Sequence, residues 1–175
     1  MKKVLVVVDM QNDFITGALR NEEGIAIVPY VKEKIEKAKE AGETIIFTRD
    51  THGDDYMQTE EGKNLPVPHC IKGTEGWNII DELNADENAS LIIDKETFGS
   101  EKLAEYMKKN ADEIEEVEFV GVCTDICVIS NVLLTKAMIP NKKIHVDARG
   151  CAGVTPQAHN TALAAMTACH IKIEN

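Results

Sequence analysis

The sequence predicts an α/β fold: a three-layer α/β/α sandwich on a mainly parallel, six-stranded, Rossmann-like sheet. Two observations carry this reading. Short runs rich in β-branched residues alternate with longer segments of helical periodicity along the 175 residues, the signature of repeated β-α units. The strand candidates are apolar at almost every position rather than at every second one, a pattern that fits a parallel sheet covered by helices on both faces.

In chain order, strands are expected over Lys3–Asp9, Thr44–Arg49, Ser90–Lys95, Glu116–Gly121, Lys143–Asp147 and His170–Glu174. Helices are expected over Val28–Ala41, Ser100–Lys109, Asp125–Met138 and Pro156–Ala168. The first helix places Val28, Val31, Ile35 and Ala38 on one face and stops at Gly42, where a C-terminal cap belongs. Right-handed crossovers then put helices on both sides of the sheet, and ligands of such sheets bind beyond the carboxyl ends of the strands. One connection breaks the rhythm. Asp50 to Ala89 is far longer than the usual few residues, has helical character only at Trp77–Leu83, and carries two of the five histidines. No internal repeat, linker or low-complexity stretch interrupts the chain, so residues 1–175 read as a single domain.

Apolar residues make up 43% and charged residues 28% of the chain, the composition of a folded globule. The net charge of −11 repels phosphate backbones, which argues against nucleic acid as a partner. Met1-Lys2-Lys3 followed by Val4–Val8 superficially suggests a signal peptide. The apolar run stops at Asp9 without a small-residue cleavage site, so a buried first strand is the better reading. No run reaches membrane-spanning length. The five cysteines, Cys70, Cys123, Cys127, Cys151 and Cys169, are odd in number and widely spread, which points away from a disulfide framework and toward a reducing, cytoplasmic setting.

Three strand ends carry candidate chemistry. Asp9 follows the buried run Val4–Val8, where a poorly solvated carboxyl acquires a raised pKa and can shuttle a proton; it can equally cap the next loop. Lys95 closes the third strand, where an ammonium stabilises a neighbouring thiolate or carboxylate; taken alone it also reads as a surface lysine. The strongest local signal is Val120-Gly121-Val122-Cys123-Thr124-Asp125-Ile126-Cys127-Val128, a strand entering a helix through a tight turn. Gly121 permits an unusual backbone angle, Thr124 or Asp125 can cap the helix, and Cys127 falls in the first turn. Helix N-termini depress thiol pKa values and offer free N–H groups to an oxyanion. Cys127 also reads as a core cysteine, or with Cys123 as a redox or metal pair.

The long connection holds Asp50, His52 and His69, which can share one hard or borderline metal such as Zn²⁺, with Glu61 as a further ligand and Glu60 or Asp54 as substitutes. The alternative is that both histidines only hydrogen-bond to hold the loop. His145, His159 and His170 read as core or surface residues. Phe14, Trp77 and Phe98 can wall a flat ring, or can be ordinary packing. Neither G-x-G-x-x-G nor a P-loop is present, which argues against nucleotide binding.

Taken together, VVVDMQNDF with Asp9, DKETFGS with Lys95 and GVCTDICV with Cys127 resemble the isochorismatase-like cysteine hydrolases over essentially the whole chain. The segments TRDTH and LPVPHCIKGTEGW are similar to the nicotinamidase branch. That resemblance implies a catalytic set of Asp9, Lys95 and Cys127, metal ligands Asp50, His52 and His69, and a cis Val122–Cys123 peptide with the amides of Cys123 and Cys127 forming an oxyanion hole. Many nicotinamidases supply another histidine between the metal-binding ones; this loop has none there, and Glu61 is the replacement expected. Cys123 stands where alanine is common. The implied activity is hydrolysis of nicotinamide to nicotinate and ammonia through a cysteine thioester, with a divalent metal, zinc, as cofactor and a place in pyridine nucleotide salvage. A carbamoyl or maleamate-type small amide is the alternative substrate, and a non-enzymatic redox or binding role for Cys123 and Cys127 is the reading from another class. Members of the family often assemble into homo-oligomers, although no interface is legible in this sequence.

Overall fold

The structure is a computed structural model that describes residues Met1–Asn175. Six strands form one sheet: β1 Lys2–Val8, β2 Thr44–Asp50, β3 Leu91–Lys95, β4 Ile114–Val122, β5 Lys143–Ala152 and β6 Lys172–Glu174. Their spatial order is β3-β2-β1-β4-β5-β6, and every neighbouring pair is parallel. The helices are α1 Asn12–Ile15, α2 Glu22–Glu40, α3 Glu60–Asn64, α4 Ala85–Asn88, α5 Glu101–Lys109, α6 Ile129–Met138 and α7 Pro156–Ala168.

The unbroken apolar run of β1 serves two cores at once. Val4, Val6 and Val8 face one side with Leu103 and Met107 of α5 and Val132 of α6. Leu5 and Val7 face the other with Ile27, Val31 and Ile35 of α2. Alternate side chains of a strand point to opposite faces, so both sets are buried only because helices lie on both sides. This is the expected three-layer sandwich, with a sheet that is entirely parallel.

Several boundaries differ from expectation. Helix α2 begins at Glu22, because the Asn21 side chain accepts the N–H groups of Glu23 and Gly24 and caps a turn that Gly24 and Pro29 obscure in sequence. Trp77–Leu83 is not a helix but two single 3₁₀ turns, Glu75–Trp77 and Asp81–Leu83. Strand β5 runs on to Ala152 after an irregularity in its pairing with β4, and β6 starts only at Lys172, after His170 adopts a positive φ of 62°.

The chain order reverses between β1 and β4: successive strands run outward from β1 in one direction and from β4 in the other. A crevice therefore opens at their carboxyl ends, the usual ligand position in open parallel sheets. Gly121 makes this junction tight. Its φ is +118°, and a Cβ there would lie 2.1 Å from the Val8 carbonyl oxygen, so only glycine fits. The long excursion after β2 begins at Asp50 and its return strand ends at Lys95, and these two residues are register partners.

Candidate active site

Asp9, Lys95 and Cys127 converge at this crevice from β1, β3 and the segment after β4. All three are almost fully buried. Asp9 has φ 48°, a left-handed backbone conformation that a non-glycine residue holds only where its surroundings fix it. Its Oδ1 accepts the Thr48 hydroxyl at 2.6 Å, while Oδ2 lies 2.7 Å from the Lys95 ammonium. Lys95 Nζ also lies 3.1 Å from Asp50 Oδ1, donates to the Thr97 carbonyl at 3.1 Å, and sits 3.5 Å from Cys127 Sγ. One ammonium thus touches two carboxylates and the thiol.

Burial and the nearby Asp50 charge push the Asp9 carboxyl up, against the pull of Lys95. Burial alone would lower Lys95, but Asp9, Cys127 and Asp50 outweigh it and hold the ammonium charged. The thiol of Cys127 is raised well above its ordinary value, by burial first, with Lys95 opposing and Asp9 and Asp50 adding to it. This corrects the expectation of a thiol depressed by its helix end. In the resting site complete burial beside two carboxylates wins, and the sulfur keeps its proton.

The turn carrying Cys127 is not a plain α-helical start. Thr124–Val128 form a π-helical turn that leads directly into α6, a feature that clusters at functional sites. The N–H groups of Ile126 and Val128 both donate to the Cys123 carbonyl, at 3.0 Å each, whereas the Cys123 N–H has no backbone acceptor. The Val122–Cys123 peptide bond is cis. Thr124 is fully buried, and its hydroxyl lies 2.8 Å from His159 Nδ1 of α7.

Beside this group, Asp50, His52, Glu61 and His69 bring their ligand atoms within 4.8 Å of one another. Asp50 Oδ2 lies 2.9 Å from His52 Nε2 and 3.4 Å from His69 Nε2; Glu61 Oε1 lies 3.6 and 3.7 Å from the same two nitrogens. Four-coordinate Zn²⁺ with N and O ligands at about 2.0–2.2 Å separates its ligand atoms by roughly 3.3–3.6 Å. Asp50 and His52 are in hydrogen-bond contact, the other three separations lie close to that spacing, and the donor set suits a divalent ion of that kind. His69 Nδ1 faces the Val67 carbonyl at 2.8 Å, so it is the donor and turns Nε2 to the cluster. Burial pushes the Asp50 carboxyl up, yet hydrogen bonds from His52 and His69 and the Lys95 charge hold it far below the usual carboxylate range. Glu61, carried by α3, is raised by burial and by Asp50. Glu60 of the same helix instead lies at the surface, 3.7 Å from Lys63.

A cavity of about 870 Å³ opens over both groups, lined at its base by Cys127, Cys123, Asp50, Glu61 and His69. Phe14 and Phe98 lie in its wall. Trp77 does not: its indole N–H donates to the Thr51 hydroxyl at 2.9 Å, and the Arg49 guanidinium covers its ring at 3.7 Å. Trp77 therefore braces the exit of β2 instead of facing a ligand.

Three residues not singled out in the sequence complete the site. The Gln11 side chain is fully buried, accepts the Asp50 N–H at 2.7 Å, and donates to the carbonyls of Asp50 and Trp77 at 2.8 Å each. Tyr56 packs against the rings of His52 and His69, with centroids 4.8 and 5.1 Å away. Thr48 fixes Asp9. Gln11 stands two residues beyond Asp9, and its polarity after a buried strand was the one signal available. Tyr56 and Thr48 had none.

Residues 3–174 match the Isochorismatase domain family. The chain belongs to that family. Among solved structures, the pyrazinamidase of Pyrococcus horikoshii in complex with zinc is 32% identical, with a TM-score of 0.84 over 99% of this chain and 98% of that one. Among curated proteins, the Escherichia coli nicotinamidase is 26% identical over 94% of this chain and 89% of its own. A probable inactive nicotinamidase of Arabidopsis thaliana is 31% identical over 89% of this chain and 83% of its own. Relatives named nicotinamidase and probable inactive nicotinamidase thus lie at comparable distance, and the residues of the site decide how this member is read.

Proposed function

We propose that the protein hydrolyses nicotinamide to nicotinate and ammonia through a thioester on Cys127. That it is a hydrolase acting on amide bonds rests on its family and its amidase relatives. The observation that carries the finer reading is Lys95 within 2.7–3.5 Å of Asp9, Cys127 and Asp50, with a metal-type cluster beginning at that same Asp50.

Asp9 has its pKa raised by burial and is hydrogen-bonded to the Cys127 thiol, so its carboxylate is the base that takes the proton of Cys127. Lys95 stays charged and stabilises the thiolate as it forms. The sulfur attacks the carboxamide carbon; the oxyanion is held by the N–H groups of Cys123 and Cys127, the first of which has no backbone partner to give up. Asp9 returns the proton to the departing ammonia, and water then cleaves the thioester. Asp50, His52, His69 and Glu61 fit a divalent ion, which we assign as zinc; when bound, it supplies a Lewis-acid anchor for the ring nitrogen. The protein's part is to hold that anchor on the same floor as Cys127, so that the carboxamide meets the sulfur. The two cores completed within 1–175 support reading the chain as one hydrolase domain.

A carboxylated amide of the carbamoyl or maleamate type needs a cationic anchor. The one cation in the cavity wall is Arg20, which lies exposed beside Glu22, whereas the metal-type cluster lines the base with Cys127, and this favours nicotinamide. The test is ammonia release from nicotinamide beside a panel of small amides, with metal content measured on the same sample. Fast turnover of nicotinamide is expected. No turnover by metal-loaded protein, with another amide hydrolysed, removes nicotinamide as the substrate.

A further inference from the structure

The cavity is much larger than the reaction at its base requires. Its 870 Å³ lies near the top of the range that holds a drug-sized ligand, whereas one pyridine ring with its carboxamide fills only the inner end. The two ends differ in chemistry. Asp50, His69 and Cys127 at the base are buried, while Leu65, Phe98 and Val154 in the outer wall are 38%, 43% and 57% exposed. Leu19, Ile126 and Pro156 add to this apolar part of the wall, while Arg20, Asn21, Glu22 and Glu23 give the wall a separate polar part. Large apolar side chains left in water around the mouth of a reactive cavity mark a surface that gains from being covered.

These apolar residues come from five separate places: the α1–α2 loop, the segment after α3, the segment after β3, the nucleophile turn, and the β5–α7 connection with the first residue of α7. They line the same cavity as Cys127, Asp50 and His69. We infer that the outer half is a subsite for an apolar group on the acyl side of the amide, so that the preferred substrates are ring carboxamides bearing an apolar extension. The leaving group is ammonia, so the extension stays with the thioester and is shielded there until water arrives. This rests on the reading of Cys127 as an amide-cleaving nucleophile.

The experiment compares kcat/KM of the metal-loaded full chain on nicotinamide and on nicotinamides carrying a propyl or phenyl group at each free ring carbon. Burial of each methylene contributes about fourfold in affinity, and the half-open subsite lowers the total, so about a tenfold gain is expected for at least one position. In Val154→Asp the ratio of extended to plain substrate should fall by a similar factor. Extended amides turned over faster than nicotinamide support the subsite, even if nicotinamide itself is poor. Nicotinamide turned over while every extended amide is slower overturns the subsite and leaves the nicotinamide reading standing; no turnover of any member removes both. Mass in solution is measured alongside. A Val154→Asp protein that changes from dimer to monomer with an unchanged substrate ratio reassigns the apolar rim to a contact between copies of the chain and overturns the proposal.

Discussion

Asp50 divides its carboxylate between two tasks: Oδ1 lies 3.1 Å from the Lys95 ammonium, and Oδ2 lies 2.9 Å from His52 Nε2. The reactive group and the metal-type cluster are therefore not neighbours by accident of folding. They share an anion, and the predictions below differ according to which side of it they touch.

Cys127→Ala removes the only sulfur within reach of Lys95. Amide hydrolysis should fall by about a thousandfold or more while the fold is retained, because the side chain contributes one small member to a large core. Steady-state ammonia release with a circular-dichroism check decides it, and substantial surviving turnover contradicts the nucleophile assignment.

Asp50→Asn and His69→Ala should both lose bound metal, as should chelation of the native protein. They should part company on an acyclic amide that has no ring nitrogen. His69→Ala keeps the Asp50 contact with Lys95 and should retain most of that activity, whereas Asp50→Asn should lose about 10- to 100-fold. Equal loss in both variants would mean that the two tasks of Asp50 cannot be separated.

Gln11→Leu leaves the N–H of Asp50 and the carbonyls of Asp50 and Trp77 without partners in the interior. Each unsatisfied buried group costs about 1–3 kcal/mol, so denaturant unfolding should show a loss of at least about 2 kcal/mol. Metal affinity should fall with it, because Asp50 is no longer held from both sides. A variant of native stability that binds metal normally would show the clamp to be dispensable.

In β5, buried Asp147 accepts the Tyr30 hydroxyl at 2.8 Å, lies 3.2 Å from Lys34, and pairs with Arg149 at 3.0 Å. Burial raises its carboxyl, but Arg149, Tyr30 and Lys34 together hold it below the ordinary value. A depressed folded pKa stabilises fully above the unfolded value of about 4, and the contribution disappears as pH falls through that value to the folded one. Asp147→Asn should cost about 2–3 kcal/mol at pH 7, mostly through Tyr30 and Lys34, since Arg149 is half exposed. The gap in urea midpoint between native and variant protein should shrink below about pH 4; a gap unchanged from pH 7 to pH 3 contradicts the assignment.

The fold was readable because the information was local. Val4–Val8 and Ile45–Phe47 announce strands covered on both faces, and Gly121 announces the tight junction that only glycine fits. Asp9, Lys95 and Cys127 were readable as strand-end residues, and only their joint occurrence separated them from a cap, a surface lysine and a core cysteine. What stayed hidden depends on contacts far apart in sequence. Trp77 looks like a ring wall until Arg49 is found lying on it. The first turns of α2 are masked by Gly24 and Pro29, and the extension of β5 by Arg149 and Gly150. Leu19, Leu65 and Val154 sit on separate loops with no periodicity to join them. The raised thiol of Cys127 is a property of three dimensions, because a helix start in sequence does not reveal the two carboxylates that fold against it.

The excursion that leaves the sheet at Asp50 rejoins a strand ending at Lys95, its register partner. Everything between those two residues can lengthen, shorten or exchange a ligand such as Glu61 without shifting the pair, because the sheet ladder rather than the loop sets their separation. His52, Glu61 and His69 thus ride on a part of the chain that can change without moving Lys95, so a lineage can rewrite that insertion while Asp9, Lys95 and Cys127 stay where they are.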